Sequence, residues 1–393
     1  MPRLRIAVVS PFVDKQHGTE RQVAECLSRL ANEYEFHLYS SRVEDLDLSR
    51  IVWHRVPALP GPHLLGYLWW FAANHMQRWW DRRFRGLQPD LVYSPGINCL
   101  DADVISVLVI FARLRERLRE ELRLLRNPIA AWPRTIHRRL YYRLIGALEQ
   151  RVYRSDVPLA AVSYKVATDL DRYFGRAHGV TVIYNGIDLV QFSPQRRAAL
   201  RETARATLGL GPDDFALLLV GNDWNGKGLP CLLEAVRKTD EPRLCVLVAG
   251  SDNPAAFAPV ITADGLVPRV HFLPIRPDVE FYYAADDAYV GPSLEDTFAM
   301  PVAESMACGL PVIASREAGV AELITPGCDG FVLEDPRDSA TLAGMIRQFV
   351  AAPELCDRLG EAAARTARQC NWERNAQHTR EFFERAWRFK QAR

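Results

Sequence analysis

The 393-residue sequence contains no apolar run near the 20 or so residues that a membrane-spanning helix needs. It also has little net charge, +1, which gives no overall argument for a nucleic acid or an acidic polymer as partner. Its eight cysteines form no Cys-x-x-Cys pair and have no zinc-type spacing to histidine. We therefore predict reduced core cysteines in a cytoplasmic protein, without disulfide bonds or a zinc site. The first apolar run is too short for a signal peptide and predicts a buried strand.

The chain has an ordinary composition but an uneven distribution of charge. Apolar residues make up 48% and charged residues 25%, and the length suffices for two domains with full cores. Residues 1–180 contain 27 Lys and Arg against 19 Asp and Glu, whereas the remaining residues contain 22 against 29. A basic first half beside an acidic second half indicates an anionic partner on one side.

Short apolar runs alternate with helical patterns along the chain, which is typical of parallel βαβ units. We predict an α/β fold of two doubly wound, Rossmann-like domains facing across a cleft, where ligands would bind. The predicted domains are 1–187 and 188–371, and a helix over 372–393 crosses back to the first domain. The predicted strands are 5–10, 35–39, 91–94, 104–111, 159–162, 180–184, 216–221, 244–249, 270–273, 288–290, 311–314 and 331–333. The main predicted helices are 20–32, 65–85, 138–153, 228–238, 280–285, 301–308 and 340–351.

The segment 289–315, YVGPSLEDTFAMPVAESMACGLPVIAS, is the most informative part of the chain. It predicts a strand, an acidic loop, a helix that ends at Gly309 and a second strand. Asp296 and Glu304 flank the loop and the helix start, with seven residues between them. Carboxylates accept hydrogen bonds from sugar hydroxyls, and a helix N-terminus favours phosphate. The exposed amides that we expect to bind phosphate or sugar oxygens belong to Phe298, Ala299 and Met300.

This pattern predicts a nucleotide-sugar as the ligand. The alternative is that both acids are solvated surface charges, as most such pairs are. The apolar neighbours of Glu304 argue against that alternative, because an idle charge among them would be costly.

Other strand-to-helix turns also contain glycine. Gly18 follows the first strand, with a helix predicted to open at Glu20; a plain turn with Thr19 as the N-cap explains it equally well. The turn Gly221–Gly228 contains Lys227, which can reach a pyrophosphate, although no Ser or Thr follows it as a Walker A motif requires. A further turn opens at Gly250.

At these residues the chain resembles the retaining glycosyltransferases of the GT-B fold, family four. The resemblance spans nearly the whole chain. It is nearest to the lipopolysaccharide-core glucosyltransferase branch in the turns that begin at Gly221 and Gly250. The motifs that carry it are His17-Gly-Thr-Glu-Arg21, Val182-Ile-Tyr-Asn-Gly-Ile-Asp188, Phe192-Ser-Pro194, Val220–Leu229 and the acid–seven–acid segment.

The resemblance implies roles for individual residues. Lys227, Asp296 and His17 are the implied catalytic residues, with Lys227 neutralising the leaving diphosphate and Asp296 holding the transferred sugar. The implied donor-binding residues are Gly18, Asn222, Lys227, Ile275, Arg276, Asp296, Phe298, Ala299, Met300 and Glu304, of which Glu304 takes the ribose hydroxyls. The implied acceptor-side residues are Thr19, Glu20, Arg21 and Leu108. Neither a metal nor a cofactor is expected, since the nucleotide-diphosphate sugar is a co-substrate.

Three positions depart from the family pattern. Asp296 stands where the first acid is usually Glu, and Asn222 stands where an Arg often follows the strand glycine. Leu108 lies where many relatives place a histidine that faces the transferred sugar. The change at Asp296 is modest, and the change at Asn222 would leave more of the positive role to Lys227. The departure at Leu108 implies either that the donor sugar is held differently or that activity is impaired.

The first half interleaves aromatic residues and arginines at 64–80, 111–119 and 138–143. Such helices can dock peripherally on an anionic membrane, or they can pack on a sheet with their arginines solvated. We predict a metal-independent retaining transferase that moves a sugar from a UDP-sugar such as UDP-glucose to a glycan or lipid-linked glycan hydroxyl. Its place would be lipopolysaccharide or polysaccharide biosynthesis. The alternatives are a nucleotide-sugar epimerase of the same fold and a catalytically impaired nucleotide-sugar-binding protein.

Overall fold

The computed structural model describes residues 3–15, 18–119, 122–123 and 131–392. The chain divides into two compact units, which we call the first unit (Met1–Tyr184 with Trp372–Arg393) and the second unit (Asn185–Asn371). The strands are β1 Arg5–Val9, β2 Phe12–Val13, β3 Glu35–Ser40, β4 Arg42–Val43, β5 Ile51–Arg55, β6 Leu91–Pro95, β7 Val104–Val107, β8 Leu159–Ala161, β9 Val180–Val182, β10 Phe215–Val220, β11 Leu244–Ala249, β12 Val270–Leu273, β13 Ala288–Gly291, β14 Val312–Ser315 and β15 Phe331–Leu333. The helices are α1 Gly18–Leu30, α2 His63–Phe84, α3 Phe111–Arg117, α4 Trp132–Tyr153, α5 Tyr164–Phe174, α6 Pro194–Leu208, α7 Leu229–Thr239, α8 Ala258–Ala263, α9 Glu280–Ala285, α10 Met300–Ala307, α11 Ser339–Ala351, α12 Pro353–Ala367 and α13 Trp372–Gln391.

The first unit is built on a parallel sheet with the strand order β5-β3-β1-β6-β7-β8-β9. Successive side chains of a strand point to opposite faces, so β1 supplies two cores. Ile6 and Val8 pack in the core that contains α1 and α13, whereas Ala7 and Val9 pack in the core that contains Trp70 of α2. Helices therefore cover both faces of the sheet, as its continuous apolar strands require.

The second unit repeats this architecture with the parallel strand order β12-β11-β10-β13-β14-β15. The chain runs from β10 outward to β12 and then returns to the other side of β10 with β13. This reversal places a topological switch point between the carboxyl ends of β10 and β13, where open α/β sheets bind ligands. The predicted α/β, doubly wound fold class is confirmed.

Several predicted elements differ from the structure in their bounds. The strand predicted over 104–111 is wrong beyond Val107, because the chain turns there and α3 begins at Phe111. The helix predicted from 138 begins at Trp132. Helix α6 was not predicted. Ala204 is its only buried residue, so its sequence has little apolar periodicity. It is held instead by ion pairs from Arg201 and Arg205 to Asp287.

The cysteines follow the prediction of core residues with two exceptions. Cys26, Cys99, Cys231, Cys245, Cys308 and Cys370 are buried free thiols. Cys328 is exposed and Cys356 is half-buried, so the core prediction is wrong for Cys328. Among the helices of the described residues, none has both the length and the apolar character to cross a membrane.

Candidate functional site

Two loops of the second unit meet at its switch point. The turn 221–228 follows β10, and the loop 292–299 follows β13. The amide of Leu294 donates a hydrogen bond to the carbonyl of Gly226 (2.8 Å), which joins the two loops directly. The candidate ligand-binding groups on both loops therefore share one edge of the sheet.

Glycines make this close approach possible. A β-carbon at Gly228, whose φ is 83°, would lie 2.0 Å from the carbonyl oxygen of Pro292. A β-carbon at Gly250, at the end of β11, would lie 1.9 Å from the carbonyl oxygen of Gly221. Any larger residue at either position would push the loops apart. Buried Trp224 anchors the same turn, and its amide donates to the Asp252 carboxylate (2.9 Å).

Lys227 reaches from this turn to the second loop. Its aliphatic stem crosses over Gly221, and its amide donates to the carbonyl of Asp223 (2.7 Å). Its Nζ forms an ion pair and a hydrogen bond with Oδ2 of Asp296. The structure thus brings together the lysine and the first acid that the sequence analysis predicted to share a site.

Asp296 is held by donors on both of its carboxylate oxygens. Oδ1 accepts hydrogen bonds from the amides of Phe298 (3.2 Å) and Ala299 (2.8 Å), while Oδ2 accepts from Lys227. Burial alone would raise the pKa of Asp296, but the Lys227 charge, its hydrogen bond and the two amides together hold that pKa below its usual value. The carboxylate is therefore an anion at neutral pH.

The prediction of exposed amides at the start of α10 is wrong for Phe298 and Ala299. Both residues are buried, and both amides already donate to Asp296. The physical reason is that an Asp side chain readily bonds amides two and three residues ahead of it, as in an Asx turn. Met300 is half-buried at the first position of the helix.

Ala299 has a backbone conformation that L-residues rarely adopt. Its φ of 70° and ψ of 66° lie in the left-handed region, which costs a residue with a β-carbon about 1–2 kcal/mol. The conformation ends the loop, and α10 then begins at Met300 with Pro301 as its second residue. Such strain concentrates at functional sites, where the surrounding contacts hold it in place.

Glu304 lies one turn further along α10 and is 5% exposed. Its Oε2 accepts a hydrogen bond from the hydroxyl of Tyr283 on α9 (2.9 Å). Burial and then the Glu304 charge raise the pKa of Tyr283 well above its usual value, so the phenol remains a proton donor. The alternative that Glu304 is a solvated surface charge is wrong.

The remaining predicted residues of the second unit also follow strand ends. Asn222 is exposed, and its Oδ1 accepts from the amide of Ser251 (3.1 Å), which ties the turns after β10 and β11 together. Ile275 is exposed after β12. Arg276 pairs with Asp278 (2.7 Å), and its guanidinium carbon lies 4.1 Å from the ring centroid of Phe281.

In the first unit the predicted residues lie after β1 and β7. Helix α1 begins at Gly18, two residues earlier than predicted, and Thr19 lies in its first turn, hydrogen-bonded to Glu20. The alternative interpretation, in which Thr19 is the N-cap of this helix, is therefore wrong. The Arg21 guanidinium lies 6.0 Å from the ring centroid of Trp372, and Leu108 is buried directly after β7. His17 lies outside the described residues.

The sequence analysis did not single out Gly221 as a support for Lys227, nor Tyr283 as a partner of Glu304. The first depends on a side chain folding back over a glycine six residues earlier, which no spacing rule predicts. The contact of Tyr283 with Glu304 could have been suspected from the sequence. Tyr283 carries a polar hydroxyl within an apolar helix, and a buried hydroxyl needs a partner. Among the described residues, no group of three or more His, Cys, Asp or Glu side chains could hold a metal ion.

Comparisons with known proteins extend over both units. Residues 201–366 match the family described as glycosyl transferases group 1, and residues 16–191 match glycosyltransferase family 4. A D-inositol 3-phosphate glycosyltransferase of Nocardioides sp. is 30% identical over 266 residues, covering 62% of this chain and 56% of the relative. The enzyme of that name from Geodermatophilus obscurus is 33% identical over 247 residues, covering 59% and 53%. The alignments thus span little more than half the length of these relatives.

Solved structures share the fold. WaaG, a glycosyltransferase involved in lipopolysaccharide biosynthesis, is similar with a TM-score of 0.78 and 20% identity over 95% of this chain and 98% of WaaG. HepE of Anabaena, solved in complex with UDP-glucose, is similar with a TM-score of 0.73 and 20% identity over 97% and 100%. Residues 201–366 therefore belong to the group 1 glycosyltransferase family and residues 16–191 to glycosyltransferase family 4, and the chain has the GT-B fold.

Proposed function

We propose that this protein is a retaining glycosyltransferase that moves a sugar from a nucleotide-diphosphate sugar, UDP-glucose in the simplest case, to a hydroxyl of a glycan or lipid-linked glycan. The observation that carries the proposal is the meeting of Lys227, Asp296 and the start of α10 at the switch point. A cation, an ionised acid and a helix N-terminus on one sheet edge suit a ligand with a diphosphate beside a sugar.

Lys227 is the proposed partner of the leaving diphosphate. Negative charge accumulates on the diphosphate as its bond to the sugar breaks, and a fixed cation stabilises that charge more in the transition state than in the ground state. The Nζ of Lys227 belongs to a side chain that is 25% exposed, so a ligand can reach it. No metal is required for this role.

Asp296 and Glu304 are the proposed sugar-binding acids. Asp296 is ionised and oriented by Lys227 and two amides, so its remaining lone pairs can accept hydrogen bonds from hydroxyls of the transferred sugar. Glu304 is oriented by Tyr283 and would accept the ribose hydroxyls. The shorter Asp at position 296 thus retains the acceptor function of the usual Glu.

The proposed reaction proceeds with retention on one face of the sugar. The acceptor oxygen forms a bond to the anomeric carbon on the face from which the diphosphate leaves. The bond from that carbon to the phosphate oxygen breaks, and the acceptor proton passes to the leaving phosphate. Asp296 is a poor candidate for a covalent nucleophile, because three donors already stabilise its negative charge.

A peripheral membrane contact is proposed for the first unit. Trp79, Trp80 and Phe84 of α2 are each more than half exposed, and both tryptophan rings contact Phe84. Arg82 and Arg83 are exposed beside this aromatic cluster. Aromatic rings next to arginines suit the interface of an anionic membrane, where a lipid-linked acceptor would lie.

A second candidate function, nucleotide-sugar binding without turnover, has support from specific observations. Buried Leu108 supplies no polar group to a sugar, and Asn222 supplies no charge. The amides of Phe298 and Ala299 already donate to Asp296. Measured binding of a donor with no transfer to any acceptor would select this candidate.

The test is calorimetric titration with UDP-, GDP- and ADP-sugars, on the parent chain and on two lysine variants. Lys227→Ala should abolish donor binding, whereas Lys238→Ala, which removes a lysine from the same unit on the surface of α7, should leave it unchanged. Equal binding by Lys227→Ala and the parent would refute the assigned site. Anomeric analysis of the product by NMR tests retention, and incubation with donor alone tests the epimerase alternative.

A further inference from the structure

A cavity of about 720 Å³ lies among helices α3, α4 and α5 of the first unit. The described residues that line it are mainly basic and aromatic. Six of them are arginines from the three helices and from the chain after α3: Arg115, Arg119, Arg123, Arg139, Arg143 and Arg172. We call this space the arginine cavity.

For five of these arginines, Arg115, Arg119, Arg139, Arg143 and Arg172, no carboxylate lies within 4.0 Å among the described residues. Elsewhere Arg78 donates hydrogen bonds to Asp101 from both of its terminal nitrogens, and Arg205 forms an ion pair with Asp287. The acid among the described lining residues is Glu116, whose carboxylate accepts a hydrogen bond from Tyr173. One carboxylate beside six guanidiniums leaves an excess of positive charge among the described lining residues, so the cavity favours an incoming anion.

The arginine cavity extends along three helices of the first unit. Ala112, the second residue of α3, lines it, as do Gln150 near the end of α4 and Tyr173 near the end of α5. Gly18 and Leu108, which the sequence analysis placed beside the donor and the acceptor, are not among the described residues that line it.

We propose that the arginine cavity binds a ligand that carries two or more phosphate groups. A guanidinium presents paired N–H donors that match two phosphate oxygens, and it is the side chain best suited to multivalent phosphate recognition. Six guanidiniums exceed the charge of a single phosphate, which indicates more than one. The volume falls within the usual range for small-molecule sites. Both a soluble polyphosphorylated molecule and a cluster of phospholipid headgroups offer this chemistry.

The experiment uses inorganic tripolyphosphate as the probe, titrated calorimetrically into the full chain. The test variant is Arg139→Gln/Arg143→Gln, which removes two lining charges from α4. The matched control is Arg151→Gln/Arg154→Gln, which removes two exposed charges at the end of the same helix that do not line the cavity. The single variant Lys227→Ala is titrated separately, because tripolyphosphate can also bind at the proposed donor site.

We expect the test variant to bind tripolyphosphate about tenfold more weakly, since losing one or two charge-assisted contacts has an effect of this order. The control and Lys227→Ala should retain a binding event of parental affinity. Equal weakening in the test and control variants would overturn the proposal, as would loss of all binding in Lys227→Ala. This outcome is independent of whether the protein transfers sugar.

A second arm distinguishes the source of the phosphate. Vesicles of phosphatidylglycerol in phosphatidylcholine are sedimented with each variant in the presence and absence of tripolyphosphate. Binding that is lost in Arg139→Gln/Arg143→Gln and displaced by tripolyphosphate identifies lipid headgroups as the occupant. Vesicle binding that is equal in all variants, together with tripolyphosphate binding lost in the test variant, identifies a soluble ligand. No binding of either probe to the parent chain would overturn the proposal.

Discussion

The stem of Lys227 crosses so closely over Gly221 that a β-carbon at residue 221 would lie 2.8 Å from both its Cγ and its Cε. The lysine side chain therefore packs on the backbone of Gly221 and reaches Asp296 from this position. Because it packs on backbone, the path of the side chain is set by the strand-to-helix turn itself. The cation at the switch point is thus positioned by the absence of a side chain at residue 221.

Gly221→Ala should displace Lys227 and weaken donor binding. The lysine stem must move, since real β-carbons do not approach other atoms to 2.8 Å, and its Nζ then leaves the position beside Asp296. We expect UDP-glucose affinity to fall about tenfold, the effect of losing about 1.4 kcal/mol of a charge-assisted contact. Calorimetry measures the affinity. Gly327→Ala is the control, because Gly327 also has positive φ but a β-carbon there would meet nothing within 4 Å, and this variant should bind as the parent does.

Asp296→Asn should separate diphosphate binding from sugar transfer. In the structure the Asp296 carboxylate forms an ion pair with Lys227, so it competes with a diphosphate for the same cation. Removing that negative charge should tighten UDP binding several-fold, while transfer from UDP-glucose falls about a hundredfold or more through the loss of the oriented acceptor. Titration with UDP and initial-rate measurements test the two effects. Asp264→Asn, which removes a surface partner of Arg237 (3.7 Å), should change neither, and weaker UDP binding by Asp296→Asn would contradict the competition.

Tyr283→Phe and Tyr282→Phe make the same chemical change at neighbouring positions of α9 with different expected costs. The Tyr283 hydroxyl donates to the buried carboxylate of Glu304, whereas the Tyr282 hydroxyl donates to the exposed carbonyl of Pro274 (2.8 Å), which water can satisfy instead. Loss of a donor to a buried charged acceptor costs about 1.5–3 kcal/mol, and loss of one to an exposed acceptor costs about 1 kcal/mol or less. Urea unfolding at pH 7 compares them. Equal losses would show that Glu304 does not depend on Tyr283.

The fold could be predicted from the sequence because its strands are short apolar runs separated by helical patterns. The second-unit strands Leu244–Ala249, Val270–Leu273 and Phe331–Leu333 have the predicted bounds. The first is buried along its whole length and is therefore apolar throughout, and the other two are short runs with at most one polar residue. The edge strand β5, Ile51–Arg55, was not predicted, because its exposed positions include Val52 and Arg55 and its apolar run is broken.

The site could be predicted only as far as residue types and sequence spacing allow. Lys227 and Asp296 come together because parallel strands end at one sheet edge, which topology predicts. The hydrogen bonds from Phe298 and Ala299 to Asp296 could not be predicted, because they depend on the left-handed conformation of Ala299. Sequence preferences assign that conformation to glycine or asparagine and seldom to alanine.

The exposed aromatic cluster of α2 should mediate membrane binding if the proposed peripheral contact exists. Trp79→Ala/Trp80→Ala removes two large exposed rings, and we expect sedimentation with anionic vesicles to fall at least about tenfold, because each buried aromatic ring contributes about 1.5–3 kcal/mol. Val260→Ser/Val267→Ser removes two exposed apolar residues of the second unit and is the control. Vesicle binding that survives the tryptophan substitutions would exclude this cluster as the contact. High salt should weaken binding by the parent through its arginines.

Glu149 should make the stability of the protein decrease between pH 5 and pH 8. It is fully buried on α4, and its oxygens accept hydrogen bonds from the amides of Phe111 (2.6 Å) and Ala112 (2.8 Å) at the start of α3. Burial raises its pKa to about 7, and the two amides and the Arg115 charge only partly offset that effect. The folded-state pKa of Glu149 exceeds its unfolded-state pKa, so at pH values between these two pKa values folding takes up a proton. Stability therefore falls as the pH rises through this interval.

The comparison of Glu149→Gln with the parent isolates this contribution. The parent should lose about 2.5 kcal/mol of unfolding free energy between pH 5 and pH 8 relative to Glu149→Gln, since a tenfold difference in proton affinity between the folded and unfolded states corresponds to about 1.4 kcal/mol. Urea unfolding at the two pH values gives the difference directly. The glutamine leaves one of the two amides without an acceptor, which lowers stability at both pH values but does not change the slope. Glu361→Gln, at an exposed position of α12, should keep the parental slope. A parental slope in Glu149→Gln as well would mean that the buried carboxylate is already ionised at pH 5, stabilised by the N-terminus of α3.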